Sequence, residues 1–404
     1  MNKRLIALAV AAAVSAPAVV LADDSTVTLY GTLNMTFENV KADGASNNAA
    51  NLPSRNRVTQ NSSNIGFRGA EDLGGGLKAV FQIEQGVAID NGTSNGAVSG
   101  TSTGPASTGV FASRNSKVGL AGGFGEVFFG NWDTPYKLST VLGGIDAFYT
   151  AGIAEYTDVL SGNSSPSTAN AANRFSFDRR QNNSVQYISP NFSGFGFRAA
   201  YSANEEKSNS TASPQQDPKL WSVSGSYANG PLYVGLAYEK HDEYANTTTD
   251  KSKDTGFKVS AAYTLFGTTT LGFVGERLKY EQGLGNTIAN KTVALGGATE
   301  AKVDSYYFSL QHRMGPHTIR GAYGWDRGVK LSGGTGSTEN DTKAKMYAVG
   351  YSYSLSKRTD LYALYAKIKN EDNSANNFSV GTALTGVNAG ADPTGFGVGV
   401  RHTF

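Results

Sequence analysis

The chain has 404 residues, with 35 basic and 33 acidic side chains, no cysteine and a mean hydropathy of −0.31. The near-balance of charge argues against a nucleic-acid partner, which would want a basic surplus. Without cysteine, an exported chain must be held by packing and backbone pairing alone.

The chain opens with a targeting pattern. "MNKR" is a short basic start, "LIALAVAAAVSAPAVVLA" is an apolar run interrupted by Pro17, and small residues lead to Ala22 just before "DDS". This predicts export with cleavage of residues 1–22. The run is too short and too rich in Ala and Pro for a membrane anchor. Removing it takes away Lys3 and Arg4 and leaves 33 basic against 33 acidic residues. Residues 23–404 show no linker and no shift of composition, and read as one domain.

From residue 24 onward the apolar period is two, and helical periodicity is scarce. "STVTLYGTLNMTFE" opens the pattern, and "SSNIGFRGAEDLGGGLKAVFQIEQG" is two alternating runs around a Gly-rich bend. "NSKVGLAGGFGEVFFGNW" repeats the device. Five further blocks follow, from "NSVQYISPNFSGFGFRAAYSA" to "KMYAVGYSYSLSKRTDLYALYAKIK". Each is strand, tight turn, strand. Longer polar segments separate them, near 39–57, 88–112, 133–176, 203–218, 242–253, 283–301, 329–342 and 371–392. Seven hairpins and one strand at each terminus predict 16 antiparallel strands. All tight turns then lie at one end and all long loops at the other. The mix of 49 Gly, 20 Tyr and 20 Phe is a cue for closed antiparallel barrels.

The last strand, "TGFGVGVRHTF", alternates to its final residue, Phe404. A terminal strand that does not fray needs neighbours on both sides. We expect it to close a transmembrane barrel by pairing with "TVTLYGTLN", because lipid offers no partner to an exposed strand edge. Short periplasmic turns and long external loops are the pattern of outer-membrane barrels. Parity places Phe257, Val259, Tyr263, Leu232, Leu236, Ile319 and Trp325 outward, and Lys258, Ser260, Arg320 and Asp326 inward. Tyr30, Tyr307 and Tyr365 also fall on the inward set.

"GFRGAEDLGGGLKAVFQIE", "SKVGLAGGFGEVFFGNWDTPY" and "NNSVQYISPNFSGFGFRAAY", in that order and with the terminal Phe404, resemble the trimeric general porins of Gram-negative bacteria, most of all the neisserial and Burkholderia-like branch. The resemblance runs through the whole mature chain. It implies an all-β, 16-stranded barrel in the outer membrane, a homotrimer, and passive diffusion of small hydrophilic solutes. It implies that the third loop folds into the lumen. It further implies that Phe404 ends a strand read by the barrel-assembly machinery, with outer-membrane lipid and lipopolysaccharide as surroundings. His402 departs from the usual apolar residue.

The third long loop, 133–176, carries Asp146, Glu155 and Asp158 beyond Asp133. If it enters the lumen, these acids can form a negative patch at the constriction. Facing such a loop the resemblance places a ladder of basic residues. Parity gives Lys117, Arg180, Arg68, Arg320 and Arg401 as inward candidates. Lys117 stands where the family has arginine, and Asn64 stands where another arginine is usual. Basic candidates outnumber the loop acids, which leans toward a weak preference for anions. Opposed charges across a narrow bore filter by sign, and the bore filters by size.

A substrate-specific channel for sugars or anions is the alternative reading, and a plugged, non-conducting barrel is a third. Catalysis is not expected, since none of His241, His312, His317 and His402 has an evident acid–nucleophile context. No cofactor or metal is expected, because the chain has no cysteine and its four histidines make no complete zinc-ligand motif.

Overall fold

The computed structural model describes residues 26–47, 50–90, 111–148, 152–160, 175–203, 207–209, 211–334, 339–378 and 383–404. The expected leader, residues 1–22, lies outside them. Among the described residues, no helix is long and apolar enough to cross a membrane.

The alternating segments form one closed antiparallel sheet. Its staves are β1 (Thr26–Asp43), β2 in two halves (Leu52–Gln60 and Asn64–Gly74), β3 (Leu77–Gly86), β4 (Ser116–Gly122) and β5 (Gly125–Asp133). A short helix, α1 (Pro135–Val141), follows. The wall continues with β6 (Arg180–Ile188), β7 (Phe195–Ser202), β8 (Lys219–Asn229), β9 (Leu232–Asp242), β10 (Lys253–Leu265) and β11 (Thr269–Glu281). It ends with β12 (Glu300–Met314), β13 (His317–Ser332), β14 (Ala344–Ser354), β15 (Thr359–Asn370) and β16 (Asp392–Thr403). A small hairpin, Thr287–Ile288 with Lys291–Thr292, lies in the loop after β11.

Sixteen staves arise from seventeen paired segments because β2 is broken. Its first half pairs with the outer part of β1 and its second half with Thr26–Thr32. Asn61–Ser63 form the break, with Ser62 in left-handed backbone at φ 54°. Side chains inside the barrel occupy the gap. Asn61 Nδ2 donates to Thr36 Oγ1 at 2.5 Å, and Tyr362 Oη donates to Asn34 Oδ1 at 2.7 Å.

The barrel closes between β1 and β16 as expected, with the pairing carried further along β1. Thr32 to Asp43 pair with Thr403 to Asp392, so the ladder takes the last residues of "TVTLYGTLN" and continues through "MTFENVKAD". The first residues of β1 instead overhang and pair only with β2. The final residue does zip on: Phe404 and Gly31 exchange both backbone hydrogen bonds at 3.1 Å. The Phe404 ring covers Gly31 so closely that a Cβ there would meet both the ring and the Asn64 carbonyl.

Inter-strand turns at the end holding both termini run from two residues (230–231, 315–316) to six (189–194). Gly230 and Gly315 take φ near +54° and +57° there, a left-handed backbone that glycine adopts without steric cost. The other end carries the long loops.

Parity holds along most staves. On β10, Phe257 and Tyr263 are 49% and 44% exposed while Lys258 and Ser260 are fully buried. The outer wall is therefore a continuous apolar surface of a size no soluble monomer shows. Hydrocarbon is the solvent that suits it, and closure leaves no backbone edge facing it. Tyr365 is a correction. It is 41% exposed and faces out beside Phe396, because Tyr362, Leu364 and Ala366 are the inward residues of β15.

Candidate pore constriction

The loop after β5 is drawn into the lumen from its first residues. Thr134 Oγ1 accepts from the Lys137 amide at 3.4 Å and Pro135 begins α1, a common helix start. The helix then lies on the wall. The Tyr136 amide donates to Ser222 Oγ on β8 at 3.0 Å, and Tyr136 Oη donates to Glu276 on β11 at 2.8 Å. Tyr233 on β9 donates to the Ser139 carbonyl at 2.7 Å. Further along, Ser309 on β12 donates to the Ile145 carbonyl.

Apolar side chains of the loop need somewhere to sit, and inward glycines provide it. A Cβ on Gly324 of β13 would fall 2.6 Å from Val159. At Gly350 of β14 it would fall 2.7 Å from Phe148, and at Gly395 of β16 it would fall 2.6 Å from Ile153. These positions form a track of missing side chains. Along it the loop buries Ile145, Phe148, Ile153, Tyr156, Val159 and Leu160 against β1 and β9–β16.

Lys258 on β10, fully buried, ties the two ends of the loop together. Its Nζ lies 2.5 Å from Asp178 Oδ2, 3.6 Å from Glu276 and 4.2 Å from the Tyr136 ring centroid. Tyr136 opens the loop and Asp178 closes it. Parity turns Lys258 inward, but nothing in the sequence pairs it with a residue 80 positions earlier.

The three acids expected at the constriction are all in this loop and all hydrogen-bonded within it or to the wall. Asp146 accepts from Tyr307 Oη at 2.8 Å and from the amides of Phe148 and Tyr156 at 2.9 and 3.1 Å, yet keeps exposed surface. Burial pushes its carboxyl up to about 6, against those three hydrogen bonds. Glu155 and Asp158 are a reciprocal capping pair around the turn Tyr156–Asp158 and are buried.

The expected basic residues divide into two sets. Lys117 pairs with Glu126 and sits over the Phe128 and Trp132 rings. Arg180 lies 3.3 Å from Asp133 and donates to Asn115 Oδ1 at 2.7 Å. Among the described residues, Arg68, Arg320 and Arg401 have no carboxylate within ion-pair distance. Arg68 is exposed, with its guanidinium 5.2 Å from the Tyr30 ring centroid. Arg320 donates to Ser352 at 2.6 Å, and Arg401, exposed, lies opposite Asp360 in register and near enough to Arg320 to feel its charge. Sequence reading passed over Arg198 on β7, which likewise has no ion pair among the described residues; it left Arg57 undecided near a loop boundary and missed its pairing with Glu38 (2.6 Å) and the pair Arg114–Glu84 (2.5 Å). The inward parity of Arg198 beside the exposed Phe197 was the available signal.

Two other loops also turn inward. Lys291, in the loop after β11, donates at 3.0 Å each to Asp326, Ser374 and Asn376. Asn376, after β15, donates to the Asp158 carbonyl at 3.1 Å, so the third loop is pinned from above as well.

A profile of the family described as Gram-negative porin matches residues 7–373. The chain belongs to the Gram-negative porins. Outer membrane porin protein 32 of Delftia acidovorans is 32% identical over the full length of both chains. The major outer membrane protein P.IB of Neisseria meningitidis serogroup B is 31% identical over 60% of this chain and 61% of its own. A solved anion-selective porin from Comamonas acidovorans superposes with a TM-score of 0.70 at 26% identity, covering 94% of this chain and 100% of that one. This porin is accordingly an outer-membrane protein and a passive channel for small hydrophilic solutes. Its relatives are channels, not enzymes.

Proposed function

We propose that the porin favours anions mildly, and that the preference is set at the lumen wall facing and below the third loop. The observation that carries this is the uneven use of charge. Glu38, Glu84, Glu126 and Asp133 each hold a basic partner, whereas Arg68, Arg198, Arg320 and Arg401 hold no carboxylate among the described residues. Of the loop's three candidate acids, Asp146 is the one that keeps exposed surface. Unbalanced fixed charge in a narrow bore raises the local concentration of counter-ions. The solved relative named for anion selectivity agrees with this sign. In this reading Lys117 and Arg180 shape the wall, and Asp146 tempers the field of the free arginines. Glu155 and Asp158 serve the loop's own geometry.

A specific sugar channel receives less support, since Tyr365 leaves the lumen and Tyr30 donates to Glu84 at 3.0 Å. The homotrimer is part of the same proposal. Among the described residues, the outward rows of β1–β5 hold Phe37, Phe67, Val118 and Phe129 but no tyrosine or tryptophan. The outward rows of β6–β15 carry Tyr187, Trp221, Tyr263, Trp325 and Tyr347. Such rings mark a membrane–water interface, and a face covered by another barrel has no such interface. Phe404 closing on Gly31 suits a terminal assembly signal.

The test is the zero-current potential across a planar bilayer under about a tenfold KCl gradient, where full selectivity would give roughly 59 mV. A sign showing faster chloride, reduced in Arg68→Ala and Arg320→Ala, supports the reading. A potassium preference in the wild type overturns it.

A further inference from the structure

The outer wall carries charge at the loop end, just beyond the aromatic belt. Most of these cations have an acid at hand. Lys41 lies 2.6 Å from Asp43, Lys240 2.7 Å from Asp242, Lys302 2.6 Å from Glu300, and Lys279 2.8 Å from Glu300. Even Arg277, whose side chain is 63% exposed, is doubly bonded to Asp304.

Lys345 on β14 and Lys369 on β15 break this pattern. They are direct cross-strand partners, both exposed and both on the outward rows that continue from Tyr347 and Tyr365. Lys345 is in turn opposite Trp325 on β13. Neither lysine has an ion pair among the described residues. Lys367 and Arg327 share this face; Lys367 is 3.4 Å from Asp392, and Arg327 is 3.9 Å from Glu339. Lys343, two residues before Lys345, donates to Asn340 at 2.6 Å. Glu371, two residues beyond Lys369, makes no ion pair with either lysine.

Like charges directly opposite on one face repel, with side chains about 5 Å apart at Cβ. Water relieves this by solvation. Here the pair stands beside Trp325, Tyr347 and Tyr365, rings of the kind that sit at headgroup depth. An anion at that depth would relieve it as well. The long loops mark this end as external, so the facing leaflet is the outer one, whose lipid is a phosphorylated glycolipid. The apolar wall below the lysines suits acyl chains. Outward Val349, Tyr351 and Leu361 are 59%, 43% and 44% exposed there.

We propose that Lys345 and Lys369 form a binding site for a phosphate group of an outer-leaflet glycolipid, with Trp325 and Tyr347 packed along its sugar–acyl boundary. The site rests on the outer-membrane barrel described above, and is separate from the pore and from the tyrosine-poor face of β1–β5. Each ammonium supplies donors to the phosphate oxygens, and the phosphate removes the repulsion between them.

The test uses the intact detergent-solubilised porin and bis-phosphorylated lipid A, its enzymatically dephosphorylated form, and phosphatidylglycerol as probes. Bound lipid is counted by native mass spectrometry. The expected result is retention of phosphorylated lipid A, with at least tenfold weaker apparent affinity for the dephosphorylated form. The double variant Lys345→Gln, Lys369→Gln should lose that preference, and Lys240→Gln should keep it. Single-channel conductance confirms that each variant has formed a barrel, so loss of the lipid in a conducting variant is distinct from failure of the channel itself. Equal retention by the wild type and the conducting double variant overturns the site. Equal retention of dephosphorylated lipid A shows a merely greasy annulus, and equal retention of phosphatidylglycerol shows a general anion preference; either also overturns it.

Discussion

Lys258 and Asp178 form an ion pair sealed inside the barrel, with Nζ 2.5 Å from Oδ2 and side chains 0% and 2% exposed. The lysine belongs to the wall and the aspartate to the returning end of the third loop. Glu276, Tyr136 and Tyr156 stand around them. Removing one partner of a buried pair leaves the other charge uncompensated, at a cost of about 3–5 kcal/mol. Lys258→Met should therefore loosen the loop at both ends. The expected readout is higher and noisier single-channel current with a lower unfolding temperature of the detergent-solubilised protein. Current indistinguishable from wild type would show that the loop holds its position without this pair.

The glycine track predicts a steric effect. In Gly324→Val, the new side chain occupies the place of Val159, and such overpacking costs about 1–3 kcal/mol. The loop should lift and become open to added protease. Gly321→Val is the control, because a Cβ at Gly321 meets nothing within 4 Å. Equal protease resistance in both variants would contradict the track.

Asp146 predicts a pH dependence. Burial raises its carboxyl to about 6, so it is charged near neutrality and loses its charge as pH falls through that value. An ordinary carboxylate titrates at about 4 and would be unaffected in this range. Anion preference should therefore grow between about pH 7.5 and about pH 5, following removal of one negative charge. In Asp146→Asn the preference should be high throughout and flat with pH. A wild-type selectivity that is constant over this interval would rule out Asp146 as the titrating group.

The closure at Phe404 predicts an assembly defect. Gly31→Val would drive a branched side chain into the Phe404 ring and the Asn64 carbonyl. Folded, heat-modifiable barrel in the outer membrane should fall several-fold relative to wild type in a matched expression test. Phe404→Ala should also lower the yield while sparing the conductance of barrels that do form.

Sequence alternation is a strong guide to this fold because each stave has one face toward lipid and one toward the lumen, so burial has a period of two. It read the number of staves, the placement of short and long connections, and the outward rows of β9, β10 and β13. It misplaced features that depend on register. The break at Asn61–Ser63 shifts how β2 meets β1, and the closing ladder runs over Thr32–Asp43. One step of parity put Tyr365 on the wrong face. Ionic partners were the least legible part. Lys117 and Lys258 both read as inward cations, yet one is neutralised by Glu126 on the neighbouring strand and the other by the end of a loop. The inward turn of the loops after β11 and β15 had a faint trace in Ile288, Val293, Phe378 and Leu384, apolar residues in otherwise polar stretches, all of them buried.

The most direct measurement is single-channel current of the purified wild-type porin in a planar bilayer, repeated with graded poly(ethylene glycol)s in the bath. The structure predicts discrete ohmic steps whose size falls when small polymers enter and recovers once the polymer exceeds the bore. The recovery should shift to larger polymers in Lys258→Met, as the loop yields. A silent wild-type barrel, or a polymer cut-off unchanged by releasing the loop, would contradict a water-filled channel whose width the third loop sets.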